Sequence, residues 1–133
     1  MAFPGGKIDR EDASVAAAAL REANEEVGML AEDATILGYM ESYYTGTNYL
    51  ITPVVAEVTP SGPFVPNPGE VHSVFEVPLQ RLLMPESYGE FRVKRDGKEH
   101  RTWQIAQDGH RIWGIPANIP RRFRDLTMSE MVP

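Results

Sequence analysis

The stretch Gly6-Lys-Ile-Asp-Arg-Glu-Asp12-Ala-Ser14-Val-Ala16-Ala-Ala18-Ala-Leu20-Arg21-Glu22-Ala23-Asn24-Glu25-Glu26-Val27-Gly28-Met29 decides the reading of this chain. Asp12 or Ser14 can cap a helix at its start, Ala16 to Ala19 are strong helix formers, and Gly28 stands where a left-handed C-terminal cap belongs. A helix is predicted near 13 to 27. At about 100° per residue, Ala16, Leu20, Ala23 and Val27 fall in one stripe, while Glu22, Glu25 and Glu26 gather on the opposite side. The helix is therefore apolar toward a core and acidic on its other face.

Carboxylates at i, i+3 and i+4 repel one another by a few tenths of a kcal/mol per pair. A hard divalent cation offsets that repulsion, because Mg²⁺ prefers oxygen ligands and keeps positions for water and phosphate oxygens. Ala18, small and on the acidic side, is expected to leave room for metal and ligand. Arg21 reaches Glu25 at i+4 and is expected to orient it with its planar fork. Gly5 and Gly6 let backbone come close to a metal or a phosphate, although a glycine pair alone is ordinarily a turn.

Working outward, Pro4-Gly5-Gly6 and the polar residues to Asp12 read as loop. Thr35 to Tyr44, Tyr49 to Val58 and Val71 to Val77 are rich in β-branched and aromatic residues and are predicted strands. Pro60, Pro63, Pro66 and Pro68 exclude a central strand or helix from Thr59 to Gly69, which reads as a surface loop at a substrate mouth. A short helical turn is predicted at Leu79 to Met84, and strands at Glu90 to Val93, Arg101 to Ala106 and Arg111 to Trp113. A final helix, Ala117 to Met128, is predicted to be interrupted by Pro120.

The whole is 133 residues with 42% hydrophobic and 24% charged content, which predicts one folded domain over 1–133. A formal net charge of −6 argues against a nucleic-acid backbone as partner, but not against a phosphate-bearing small molecule bridged by metal. With no cysteine there are no disulfides and no thiolate metal site. No apolar stretch is long enough to span a bilayer, and the start lacks the pattern of a signal peptide, so a cytoplasmic protein is expected.

The quoted segment resembles the Nudix box: Gly, five residues, Glu, seven residues, Arg-Glu, an aliphatic residue, any residue, Glu-Glu, any residue, Gly and an aliphatic residue. Arg21 to Met29 match its second half and Gly6 its first glycine, with Asp12 in place of Glu and eight residues rather than seven before Arg21. Phe3-Pro-Gly-Gly6 with Asp9 and Asp12, Tyr49 to Val55, Asn67-Pro-Gly-Glu-Val71, Phe75-Glu-Val-Pro-Leu79 and Ile112-Trp-Gly114 look like the coenzyme A pyrophosphatase branch of Nudix hydrolases. That branch carries an Asp and the longer spacer at the position of Asp12.

The resemblance implies an α/β fold, a Nudix-type α/β/α sandwich with a mixed sheet and a loop-helix-loop catalytic motif. It implies Mg²⁺ or Mn²⁺ as cofactor, with Glu25 and Glu26 as metal ligands and Glu22 as a further ligand or as the base. The implied reaction is hydrolysis of coenzyme A, or a CoA thioester, to 3′,5′-ADP and 4′-phosphopantetheine. A Nudix enzyme acting on ADP-ribose or a dinucleotide is the neighbouring reading. A catalytically silent binding module that keeps the box by descent is the reading from another class. Nudix domains carry further strand before the box, so this chain is expected either to start late or to have lost its first strands. Sheet edges left open in that way predict a homodimer or larger oligomer.

Other residues carry weaker signals. Glu70 is a candidate extra ligand, base or substrate contact from outside the box, or simply a polar loop residue. His72, His100 and His110 lack zinc-site spacing and read as surface or hydrogen-bonding groups. Tyr43, Tyr44 and Tyr49 can stack on an adenine but read first as core or cross-strand packing. Trp113 reads as core, and Arg121-Arg122 as a solvated helix start that can meet a 3′-phosphate.

Overall fold

Ser14 sets the first fixed point of the chain. Its backbone is extended and its Oγ accepts from the amide of Ala17 at 3.0 Å, so helix α1 starts one residue later and spans Val15–Val27. The helix begins two residues after the predicted start, because Asp12 is engaged elsewhere and Ser14 alone serves as cap. At the other end Gly28 adopts φ 71°, a left-handed conformation, and its N–H turns back to the α1 carbonyls. Ala16, Ala23 and Val27 are buried, as the apolar stripe requires. A helix of this length is marginal alone, so its caps and packing matter.

The computed structural model describes residues 3–44, 49–95, 97–107, 110–113 and 115–130. The chain groups into two units, one of Pro4–Phe75 and one of Glu76–Pro133 together with Met1–Phe3.

In the first unit a 3-10 turn at Ala31–Asp33 leads from α1 to strand β1 (Ala34–Tyr39), followed by β2 (Tyr43–Tyr44), β3 (Leu50–Ile51) and β4 (Val54–Val58). β1 and β4 pair antiparallel with Thr35 opposite Glu57, and the register shifts between Ile36 and Gly38. β2 pairs with β3, setting Tyr43 opposite Ile51 and Tyr44 opposite Leu50. Each of the two long strands predicted here is thus split in two. Pro53 has no amide to donate, and only its carbonyl takes part, accepting from Met40 N at 3.0 Å. Thr35, Leu37 and Tyr39 alternate outward along β1.

The strand predicted at Val71 to Val77 is a correction: residues 71–78 lie outside helix and strand. The amides of Glu70 and Val71 both donate to Asn67 O, at 3.0 and 2.7 Å, which turns the chain at its start. The apolar residues at 71, 74, 75 and 77 also lack the alternation a half-buried strand needs.

In the second unit helix α2 (Leu79–Leu83) and a 3-10 turn (Pro85–Ser87) precede a three-stranded antiparallel sheet of β5 (Gly89–Arg95), β6 (Lys98–Gln107) and β7 (His110–Trp113), followed by helix α3 (Ile115–Glu130). Ile105 and Ile112 face each other across β6 and β7, both buried, and Ala117 of α3 is fully buried. The Tyr88 hydroxyl donates to Leu82 O at 2.6 Å, and burial pushes its pKa up to about 12. Arg124 Nε donates to Leu83 O at 3.1 Å, tying α3 to the end of α2.

The α/β character expected from sequence is present. Among the described residues, however, every strand pair is antiparallel, so the mixed sheet is not seen. The β5–β6 and β6–β7 connections are two residues each, and connections that short join only antiparallel strands. The interruption at Pro120 is a second correction, since α3 runs through it. Pro120 lies in the second turn and is buried, so the missing amide costs one hydrogen bond that packing offsets. Among the described residues no helix is long and apolar enough to cross a membrane.

Gly28→Ala is expected to cost about 1–2 kcal/mol in urea unfolding, because a side chain is disfavoured at φ 71°. Gly28→Asn should cost less.

Candidate active site

Arg21 organises the loop that precedes α1. Its Nε and Nη2 donate to Oδ1 and Oδ2 of Asp12, both at 3.0 Å, a bidentate pair in which Asp12 is only 7% exposed. Nη2 also donates to Lys7 O at 3.0 Å and lies 3.5 Å from Asp9 Oδ2. Nη1 turns to the helix, donating to Glu22 Oε1 at 3.1 Å and to Glu25 at 3.4 Å. The expected i to i+4 contact with Glu25 is therefore present, but it is the longest of these bonds. Within the loop, Asp9 N donates to Asp12 Oδ2 at 2.7 Å and Asp12 N to Asp9 O at 3.0 Å. Hydrogen bonds from the Arg21 guanidinium, then from the Asp9 amide, hold the Asp12 carboxyl below its ordinary pKa of 3.8. The same pairing with Asp12 raises that of Arg21.

This clamp lays residues 5–12 along the acidic face of α1. Gly5 N donates to Glu26 Oε2 at 3.3 Å. Gly6 passes so close to Glu22 that a Cβ there would lie 2.5 Å from Oε1, so a larger residue would make the Glu22 carboxylate shift from this position. Ala18, one turn earlier on this face, is 3% exposed: the space expected beside it is covered, not open. Glu26 has its pKa raised from 4.5. Burial is the main cause and the charges of Glu22, Glu70 and Glu25 add to it, against the Gly5 hydrogen bond.

The proline-rich loop closes the other end of the helix. The last turn of α1 leaves carbonyls without intrahelical donors. Val65 N donates to Val27 O at 2.9 Å, Asn67 N to Glu26 O at 2.9 Å, and Asn67 Nδ2 to Glu25 O at 3.2 Å. Asn67 Oδ1 accepts from Gly69 N at 3.1 Å, so one side chain both docks the loop and shapes its turn. The loop's other end is held at Asp33, whose Oδ2 accepts from the Ser61 amide at 3.0 Å and the Ser61 hydroxyl at 2.8 Å. Glu70 follows directly from this turn, and its charge reaches Glu26.

Glu22, Glu25 and Glu26 thus share one face of α1 with Gly5, Gly6 and Arg21 beside them, and Glu70 follows the loop docked at the helix end. The donor set consists of hard carboxylate oxygens, and the loop passes over it at a glycine, which fits Mg²⁺ or Mn²⁺. In their present rotamers the acids form a face rather than a closed cage. Glu22 is turned to Arg21 and Glu26 to Gly5 N, and among the described residues no three acidic or imidazole side chains converge on one point.

Sequence reading missed Asn67 as an anchor and Asp12 as the partner of Arg21. The second had a signal, because Asp12 and Arg21 are both fixed positions of one motif; the first had only a proline-flanked asparagine. Tyr44 and Tyr49 are exposed and not core, although Tyr44 keeps its cross-strand place opposite Leu50. The Lys7 ammonium lies 5.3 Å from the Tyr49 ring centroid. His72 is exposed, as expected of a surface group. In the second unit the Arg121 guanidinium stacks over Trp103 at 4.0 Å and pairs with Asp125, and Arg122 is exposed. The side chains of Tyr43, His100, His110 and Trp113, and all of Gly114, lie outside the described residues.

Comparison with known proteins identifies the family. The NUDIX domain pattern matches residues 1–97, and so runs through the clamp, the acidic helix and the docked loop. The chain belongs to the Nudix family. It is 40% identical over 121 residues to proteins named uncharacterized Nudix hydrolase NudL from Salmonella newport, Salmonella heidelberg and Salmonella agona. The aligned part is 91% of this chain and 63% of each relative, so the chain spans less than two thirds of their length. Asp12 occupies the Nudix-box position preceding the Arg-Glu pair, where the clamp gives it a structural task.

The pKa shift of Asp12 sets a pH dependence. Its depressed value stabilises the fold above the ordinary pKa of 3.8, and this contribution is lost as pH falls through the folded-state value. Asp12→Asn should therefore be less stable than the parent near neutrality, with the gap narrowing below pH 3.8. Urea midpoints from pH 7 to pH 3 measure this, and a constant gap would contradict it.

Proposed function

We propose that this Nudix chain is a metal-dependent pyrophosphatase that cleaves the pyrophosphate linkage of a nucleoside diphosphate derivative. The carrying observation is the acidic face of α1, with Glu22, Glu25 and Glu26 on the Nudix-box helix and Arg21 bound to Asp12, Glu22 and Glu25 beside it. Within that class the preferred substrate is coenzyme A or a CoA thioester, giving 3′,5′-ADP and 4′-phosphopantetheine. The stretches from Asn67 to Val71 and from Phe75 to Leu79 support that choice by their likeness to the coenzyme A pyrophosphatase branch.

Glu25 and Glu26 hold the divalent ion with Glu22, and Gly5, Gly6 and Glu70 border the substrate. When bound, Mg²⁺ or Mn²⁺ supplies charge neutralisation at the phosphates and acidifies the attacking water. One carboxylate of this face takes the proton of that water as its oxygen attacks phosphorus. The bridging P–O bond breaks, and its electron pair leaves with the departing phosphate. Arg21 keeps Glu22 and Glu25 oriented without touching substrate.

The single-domain reading of 1–133 is part of the proposal, supported by a family match that crosses from one unit into the next. So is a homo-oligomer. β1 and β4 form a two-stranded sheet whose Leu37 and Tyr39 are exposed, a surface a second copy can cover. A cytoplasmic setting follows from the substrate class, and no nucleic acid or membrane is assigned as partner.

The substrate is tested by incubating the protein and Mg²⁺ with CoA, ADP-ribose, NADH and diadenosine polyphosphates and resolving the products. CoA cleavage is expected. Turnover of another member alone would keep the enzyme class and replace the substrate, whereas no turnover by folded protein would leave a binding module. Glu25→Gln and Glu26→Gln should each lower the rate by orders of magnitude.

Glu26→Gln carries a second expectation. A raised folded-state pKa favours the fold below the ordinary value of 4.5, and that contribution is lost as pH rises through the folded-state value. Removing the charge should therefore raise the metal-free melting temperature at pH 7. A lowered one would contradict the electrostatics described above. Light scattering on the eluted protein is expected to report a dimer or larger species.

A further inference from the structure

Lys7 and Tyr49 join the loop laid along α1 to the residue just before β3. We propose that Tyr49 is a specificity-determining residue, the platform on which the adenine of the nucleotide substrate stacks, and that Lys7, which lies over the ring, turns to a substrate phosphate when the base takes its place. This rests on the nucleotide reading above, since every substrate named there carries an adenine, and deepens it.

The placement begins with the loop. Gly5 N is bonded to Glu26 Oε2 and Gly6 lies against Glu22, so the backbone of Lys7 is one residue from the carboxylate face. The Lys7 carbonyl accepts from Arg21 Nη2 at 3.0 Å, which fixes where its side chain departs. The ammonium lies 5.3 Å from the centroid of the Tyr49 ring. A lysine stem reaches about 6 Å, and one nucleoside diphosphate can therefore touch both ring and acidic face. Tyr39 and Tyr44 are exposed as well, but among the described residues Tyr49 is the tyrosine whose ring meets that loop.

The ring of Tyr49 stands in a residue that is 51% exposed, with an exposed lysine beside it. Such a pair offers an adenine nucleotide a flat surface for the base and a charge for the phosphate. Arg21 cannot supply that charge, because its nitrogens are committed to Asp12, Glu22 and Glu25. Lys7 gives up its contact readily, since a cation over an aromatic ring at an exposed site is held more weakly than a base stacked there. The exchange therefore runs toward the nucleotide, and the displaced ammonium gains a phosphate as partner.

The test is calorimetric binding of adenosine and of 3′,5′-ADP, in Mg²⁺, to the full chain, for the parent, Tyr49→Phe, Tyr49→Leu and Lys7→Gln, with melting temperatures alongside. Tyr49→Leu is expected to weaken both ligands by about 10-fold or more, the range of a lost base–aromatic stack, whereas Tyr49→Phe keeps the stacking face and stays within about 2-fold of the parent. Lys7→Gln is expected to separate the ligands. 3′,5′-ADP weakens by about 10-fold with the loss of a charged partner, while adenosine binds as in the parent or up to about 5-fold tighter, because no cation competes for the ring. For any substrate that is cleaved, Tyr49→Leu should raise KM by about 10-fold with kcat nearly unchanged, since the stack is made equally in ground state and transition state.

Parent-like binding of both ligands by folded Tyr49→Leu would overturn the proposal, as would a Tyr49→Phe variant that falls as far as Tyr49→Leu. Equal weakening of adenosine and 3′,5′-ADP in Lys7→Gln would identify Lys7 as merely structural and overturn it too. If Tyr49→Leu does not fold, Lys7→Gln decides, since Lys7 is exposed and its bond to Arg21 is made by the backbone. Hydrolysis of the nucleotide panel separates the two levels. A parent that cleaves none of the panel and binds neither ligand ends the nucleotide reading together with this inference. A parent that cleaves a member of it while KM is unchanged in Tyr49→Leu leaves that reading standing and ends this inference alone.

Discussion

The bidentate contact between Arg21 and Asp12 is the constraint on which the site depends. A guanidinium and a carboxylate held in parallel at 3.0 Å are strong because both hydrogen bonds are charge-assisted and Asp12 is nearly withdrawn from water. Two of the three nitrogens of Arg21 serve this contact, and the third faces Glu22 and Glu25. One side chain thus ties loop to helix and limits the rotamers of two acids. Lysine has one nitrogen in place of three and cannot do both.

The cost of the arrangement is visible in Glu26. Its carboxyl is partly buried, near three other carboxylates, and a 3.3 Å bond from Gly5 N offsets part of that cost. A fold selected for stability alone has little reason to place four acids together. Under the metal-dependent reading proposed above, a bound divalent ion would release that electrostatic strain. On that reading the carboxylates serve function at the expense of the resting fold, while the caps at Ser14 and Gly28 support the helix that carries them.

Much of this was legible in the sequence. Helix α1, its glycine cap, its acidic face and its buried stripe follow from local rules acting within a few residues, and the family motif lies on that same segment. The strands were harder to read. Tyr49 to Val58 has strong β composition, yet Pro53 divides it, and Val71 to Val77 has the composition without the alternation. Composition reports what a segment prefers, whereas pairing depends on partners distant in sequence. Pro120 shows the converse, a local breaker overridden by packing. Asn67 was beyond reach for the same reason, since its partners lie about forty residues earlier and no local rule connects them.

The placement of prolines in the docked loop has a consequence of its own. Pro63, Pro66 and Pro68 alternate with Val65, Asn67 and Gly69, and it is the latter three whose amides donate. Every imino acid falls at a position where no proton is asked for, so ring closure stiffens the segment without forfeiting an anchor. At residue 65 evolution is therefore held to a prohibition more than a preference: almost any amino acid serves except another proline. At that one position the side chain can change while the backbone path of the loop stays the same.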